Sequence, residues 1–76
     1  AIVGDVNWVA KNPKLPFKVN AKIRYRKPAV RAIIKSKKGG KYRIEFKELQ
    51  KAVTPGQSAV FYSNKGEILG GGIIAG

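Results

Sequence analysis

Through the middle of the chain, apolar and polar residues change places at every step. Phe17, Val19, Ala21, Ile23 and Tyr25 point one way, and Lys18, Asn20, Lys22, Arg24 and Arg26 point the other. Successive side chains of an extended chain face opposite sides, so this period of two predicts a β-strand with one buried face. Lys27-Pro28 ends it. Residues 29–37 predict a second, more apolar strand, and Lys38-Gly39-Gly40-Lys41 a tight hairpin turn, because adjacent glycines accept the positive φ such turns require. In the third strand Tyr42, Ile44 and Phe46 alternate with Lys41, Arg43, Glu45 and Lys47. Residues 49–54 read as a short returning strand; since residues 48–53 do not alternate clearly, a short helix there stays open. Thr54-Pro55-Gly56-Gln57 places Pro and Gly where a type II turn wants them. Residues 58–62 follow as a strand, 63–66 as a turn and 67–74 as the last strand.

Five or six short strands separated by turns, with no convincing helix, predict an all-β fold: a small antiparallel barrel, closed or partly open. The barrel is expected over residues 17–76. Residues 1–16 read as a lead-in, with the makings of a short strand at residues 6–9 and a breaker cluster at Asn12-Pro13-Lys14-Leu15-Pro16. Seventy-six residues make one domain, and a chain this short buries only about 60% of its unfolded surface. With neither Cys nor His, no disulfide or ordinary zinc site supplements the core. The lack of Cys is compatible with the cytosol. No apolar run approaches the roughly 20 residues that span a bilayer. The opening apolar stretch lacks a basic lead and is interrupted by Asp5, unlike a signal peptide. A soluble, cytoplasmic protein without a membrane partner is the expectation.

Charge changes the picture most. Sixteen Lys and Arg stand against four acids, a net charge of +12. That excess implies a polyanionic partner, nucleic acid before a membrane surface. The candidate RNA-binding residues lie on the polar phase of the predicted strands and the hairpin: Lys18, Lys22, Arg24, Arg26, Lys27, Arg31, Lys35, Lys37, Lys38, Lys41 and Arg43. Arg grips phosphate with two parallel hydrogen bonds where Lys acts as a point charge, so Arg24, Arg26, Arg31 and Arg43 are the sharper candidates. A solvated face that keeps an edge strand from pairing would also be basic, but the one-sided charge favours binding. Tyr25, Tyr42 and Tyr62 have the chemistry to stack on bases, yet they fall on or beside the apolar phase, where core packing is the stronger reading.

Catalytic chemistry finds no footing. Nucleophilic catalysis needs an activated nucleophile beside a base, and the chain has neither Cys nor His. Ser58 and Ser63 flank a strand, as turn or surface hydroxyls do. The four acids, Asp5, Glu45, Glu48 and Glu67, are scattered, and Glu45 on a basic strand suggests a local charge pair. Neither a catalytic residue, a metal site nor a cofactor site is expected. Gly70-Gly71-Gly72 lacks the Gly-Lys-Ser/Thr ending of a phosphate loop. Glycine there lets the last strand bend or another backbone pack closely.

Three segments in order resemble one known family. Val6-Asn7-Trp8 precedes the first barrel strand, and Lys22-Ile23-Arg24-Tyr25-Arg26 ends it. The run from Ala52 through Thr54-Pro55-Gly56-Gln57 to Phe61-Tyr62 is followed by Leu69-Gly70-Gly71-Gly72-Ile73-Ile74. Together they are similar to the carboxy-terminal domain of tRNA-specific 2-thiouridylases, formerly called tRNA (5-methylaminomethyl-2-thiouridylate)-methyltransferases. The match spans most of residues 6–74, with the middle hairpin alike in pattern more than in letters. The resemblance implies a barrel of the elongation-factor kind that helps grip tRNA. It belongs to an enzyme that uses ATP, with Mg, to activate the wobble uridine and replace its 2-oxygen with sulfur. The implied partners are tRNA, the enzyme's other domains and, through them, a persulfide sulfur donor. The phosphate loop and catalytic cysteines of that enzyme are missing here, so no catalytic residue carries over. The chain reads as the terminal domain alone. A free-standing RNA-binding barrel of ribosomal or oligonucleotide-binding type, and an interdomain module with incidental charge, are the competing readings.

Overall fold

Each alternating stretch is a strand in the structure, a computed structural model that describes residues 1–9, 11–23, 27–48 and 53–76. The strands are β1 (Ile2–Trp8), β2 (Phe17–Lys22), β3 (Val30–Lys38), β4 (Lys41–Phe46), β5 (Ser58–Tyr62) and β6 (Ile68–Ile74). All neighbours are antiparallel, and the order β1-β4-β3-β2-β5-β6 closes on itself as a barrel. Closure leaves no open sheet edge among the described strands. The end of the first predicted strand, residues 24–26, and residues 49–52 lie outside the described residues.

The opening segment does more than lead in. β1 pairs with β4 on one side and β6 on the other, so it is the strand that shuts the barrel. Its alternation is hidden in the sequence by a bulge. Between the pairs Gly4↔Ile73 and Asn7↔Gly71, β1 carries one residue more than β6, and Asp5 takes φ 51° there. Asp tolerates this left-handed conformation better than most residues. The extra residue resets the phase, so that Val3 before it and Val6 and Trp8 after it all turn toward the core.

Inside, Val3, Val19, Ala21, Ile23, Ala32, Ile34, Tyr42, Ile44, Ala59, Phe61 and Ile74 are buried, with no buried polar or charged residue among those described. Trp8 caps this core. Its ring stacks on Phe61 at 5.6 Å and meets Tyr42 edge-on at 5.6 Å. Its Nε1–H donates to the Tyr42 hydroxyl at 3.1 Å, which satisfies both polar atoms at the rim. Tyr42 is therefore a core residue, as its apolar phase implies.

The glycine run has the structural role expected of it. A Cβ on Gly70 would stand 2.5 Å from the Asn7 carbonyl oxygen, one on Gly71 2.6 Å from that of Ala59, and one on Gly72 2.5 Å from that of Gly4. The missing side chains let β6 lie tight between β1 and β5. The hairpin turn is formed by Gly39 and Gly40 at φ 58° and 77°. At the other predicted turns, Gln57 N–H donates to Thr54 O at 3.3 Å and Gly66 N–H to Ser63 O at 3.0 Å. The Ser63 hydroxyl accepts from the N–H groups of Lys65 and Glu67, a turn role.

Candidate nucleic-acid interface

The barrel has two unlike halves. β4, β3 and β2 are consecutive around it and carry two, four and two cations: Lys41 and Arg43, then Arg31, Lys35, Lys37 and Lys38, then Lys18 and Lys22. β5, β6 and β1 make up the other half and carry no Lys or Arg. The most exposed large apolar side chains belong to that half: Ile68 and Ile73 on β6, at 56% and 40% exposure, and Val9 just past β1, at 72%. The alternation that buries one face of β2, β3 and β4 necessarily turns the cations of the other phase outward.

Within the basic half, register decides which cations meet. Lys18 lies opposite Ile33, and Ile33 opposite Glu45. Asn20 lies opposite Arg31, whose carbonyl accepts the Lys47 N–H at 2.9 Å. Two rows of outward side chains thus cross the three strands, two residues or about 7 Å apart along each. Between them runs a groove of about 440 Å³, bordered by Lys18, Asn20, Arg31, Glu45 and Lys47, with Ile33 supplying apolar surface. Asn64, from the β5–β6 turn, also lines it. Asn20 holds it there, its Nδ2 donating at 3.3 Å to both Ser63 O and Asn64 Oδ1.

A bulge in β3 sorts the remaining candidates. Between Ile34↔Ile44 and Ser36↔Arg43, β3 has one residue more than β4. Lys35 faces outward, its Nζ 4.0 Å from Glu45 Oε2, the local pair that Glu45 on a basic strand suggested. Lys37 instead lies opposite Tyr42, on that residue's phase, with its Nζ 5.4 Å from the Tyr42 ring centroid. Lys38 and Lys41 pair at the hairpin tip. Lys18, Lys22, Arg31, Lys35 and Arg43 therefore share the outer face, Lys37, Lys38 and Lys41 mark the hairpin end, and Lys27 is exposed between β2 and β3. Arg24 and Arg26 lie outside the described residues. Sequence reasoning passed over Lys47, Asn20 and Asn64. Lys47 stood on the polar phase but just past its strand, and the two asparagines come together only through the β2–β5 pairing.

Among the described residues, no three His, Cys, Asp or Glu side chains come together where they could hold a metal ion. Nor, among the described residues, is any helix long and apolar enough to cross a membrane. What the arrangement offers is a set of hydrogen-bond donors and positive charge over a closed barrel.

Fold and face together define a small closed β-barrel module with one basic half and one half whose strands carry no Lys or Arg. More particularly, the chain belongs to the aminomethyltransferase β-barrel domain family, whose model matches residues 1–74. This is the carboxy-terminal barrel of tRNA-specific 2-thiouridylases that the Thr-Pro-Gly-Gln and Gly-Gly-Gly-Ile-Ile segments resemble. The chain is 46% identical over 68 residues to the tRNA-specific 2-thiouridylase MnmA of Ruthia magnifica subsp. Calyptogena magnifica, a match covering 90% of this chain and 18% of that protein. It is 46% identical over 71 residues to MnmA of Geobacillus thermodenitrificans, covering 92% and 19%. Against MnmA of Pseudoalteromonas atlantica it is 46% identical over 74 residues, covering 96% and 18%. The chain thus spans about a fifth of the length of the curated relatives it matches.

Proposed function

We propose that this chain is the tRNA-gripping accessory domain of a tRNA-specific 2-thiouridylase, contributing affinity for the RNA and no catalytic group. The segregation of every strand cation onto β4, β3 and β2 carries this reading. A charge of +12 spread evenly would serve solubility alone, whereas a one-sided field orients a polyanion. The parent enzyme's ATP-dependent thiolation of the wobble uridine, with its Mg, belongs to domains beyond this barrel, as would contact with a persulfide donor. Contacts of the barrel are predominantly to phosphates, so affinity falls steeply with salt and sequence preference is slight. Binding of the 76-residue chain to tRNA and to a length-matched duplex DNA, each at low and near-physiological salt, tests this. A preference for tRNA that persists at physiological salt is expected, and equal binding to both that vanishes with salt would overturn it.

A second role is favoured by Val9, Ile68 and Ile73. Their exposure on the half whose strands carry no Lys or Arg suits packing against another protein surface, so the two halves divide the work between RNA and the parent enzyme's other domains. The cytoplasm, where tRNA is modified, is the location this reading implies.

A further inference from the structure

We propose that the groove between the Lys18–Ile33–Glu45 and Asn20–Arg31–Lys47 rows is a pocket for a single unpaired nucleotide of the bound RNA, its phosphate held by Arg31 and Lys47 and its base edge by Glu45 and the side-chain amides. The inference deepens the tRNA-binding reading and rests on it. Three observations carry it. The first is size: about 440 Å³ lies within the range of small-ligand sites, where a flat sheet face would offer only a track for phosphates. The second is mixed chemistry. Cations and two carboxamides border the groove, and Ile33, on the outward phase, adds apolar surface against which a base can lie.

The third is Glu45. Placed among phosphate-binding cations, a carboxylate repels the backbone of any RNA. Its partner Lys35 stands at 4.0 Å, with both side chains well exposed, a pair too loose to explain the acid through stability. A ligand that brings N–H donors as well as a phosphate turns that liability into a contact, because a carboxylate accepts from base N–H groups. Guanine presents two such donors side by side and fits best. The amide of Asn64, which accepts from Asn20 at 3.3 Å, adds a further polar edge along the groove.

Charge alone and the pocket predict opposite signs for one substitution. If the face is only an electrostatic track, Glu45→Gln removes a repulsive charge and tightens tRNA binding. The pocket predicts several-fold weaker binding instead. Arg31→Ala/Lys47→Ala should weaken tRNA binding at least tenfold more than Lys38→Ala/Lys41→Ala, which removes the same charge from the hairpin tip. Guanosine 5′-monophosphate titrated into the 15N-labelled chain should shift the Asn20 and Asn64 side-chain amides, and ribose 5-phosphate should shift them several-fold less. Tighter binding by Glu45→Gln, or equal losses from the two double variants, overturns the pocket while tRNA binding stands. If the chain fails to bind tRNA yet the nucleotide shifts the groove amides, the tRNA reading falls and the nucleotide site stands. Absence of both responses overturns both. Circular dichroism of each variant confirms that the barrel is intact, and Glu45→Gln, exposed and nearly isosteric, leaves it so.

Discussion

At Gly72 there is no room for a side chain: a Cβ would lie 2.5 Å from the Gly4 carbonyl oxygen and within 3 Å of methyl groups of Val3 and Val6. Backbone on the far side of that contact cannot yield without separating β1 from β6. Gly72→Ala should therefore destabilise the domain by about 1–3 kcal/mol, the usual cost of overpacking. That corresponds to a fall in Tm of about 4–8 °C per kcal/mol in a domain of this size. Phe61 presents the converse case. It is fully buried under Trp8, and Phe61→Ala should cost about 3–5 kcal/mol through lost burial and the cavity left behind. In a small domain with roughly 5 kcal/mol to spare, that variant is expected to be largely unfolded at 37 °C. Trp8 fluorescence, which reports on the ring stacked over Phe61, measures both effects. An unchanged melting profile for either variant would contradict the packing described.

Elements differ in how much of them the sequence discloses. The β3–β4 hairpin is the clearest: Gly39 and Gly40 have positive φ and empty space where a side chain would project. The penalty for Gly40→Ala is then conformational alone, about 1–2 kcal/mol, whereas Gly39→Asn should be close to neutral because Asn accepts this region. Thermal unfolding of the two variants checks the contrast, and equal losses would argue against the turn. β2, β4 and β5 were legible because none of them carries the extra residue of a bulge, which falls on β3 and β6 where their pairing shifts, so each keeps a period of two. β1 was only partly legible. Its bulge at Asp5 shifts the phase between Val3 and Val6, which in the letters alone looks like a broken pattern. The β3 bulge likewise moves Lys37 onto the phase of Tyr42, away from Lys35. The face's positive character followed from composition and phase, but the groove did not. Its two rows exist only because Lys18, Ile33 and Glu45 fall into one register, and Asn20, Arg31 and Lys47 into the next; register across three strands is a tertiary outcome.

On the scale of the whole molecule the central feature is polarity of charge. β4-β3-β2 gathers the strand cations, and β5-β6-β1 presents Val9, Ile68 and Ile73 to its surroundings. The sheet closes on itself, so the basic face is formed by the fold before any partner arrives, which on the proposed reading limits the entropy lost on binding. If it neutralises about four to six phosphates, the logarithm of the tRNA association constant should fall with the logarithm of salt at a slope of about −3 to −5. The most direct measurement compares two variants that each lose three positive charges. One is Lys18→Ala/Arg31→Ala/Lys47→Ala, on the basic face. The other is Lys11→Ala/Lys14→Ala/Lys65→Ala, in the connections flanking the other half. At near-physiological salt the first should weaken tRNA binding by about thirtyfold or more and the second by less than about threefold, because screening beyond roughly 8 Å leaves only contacting charges effective. Equal losses in the two would mean that net charge, and not the β4-β3-β2 face, holds the RNA.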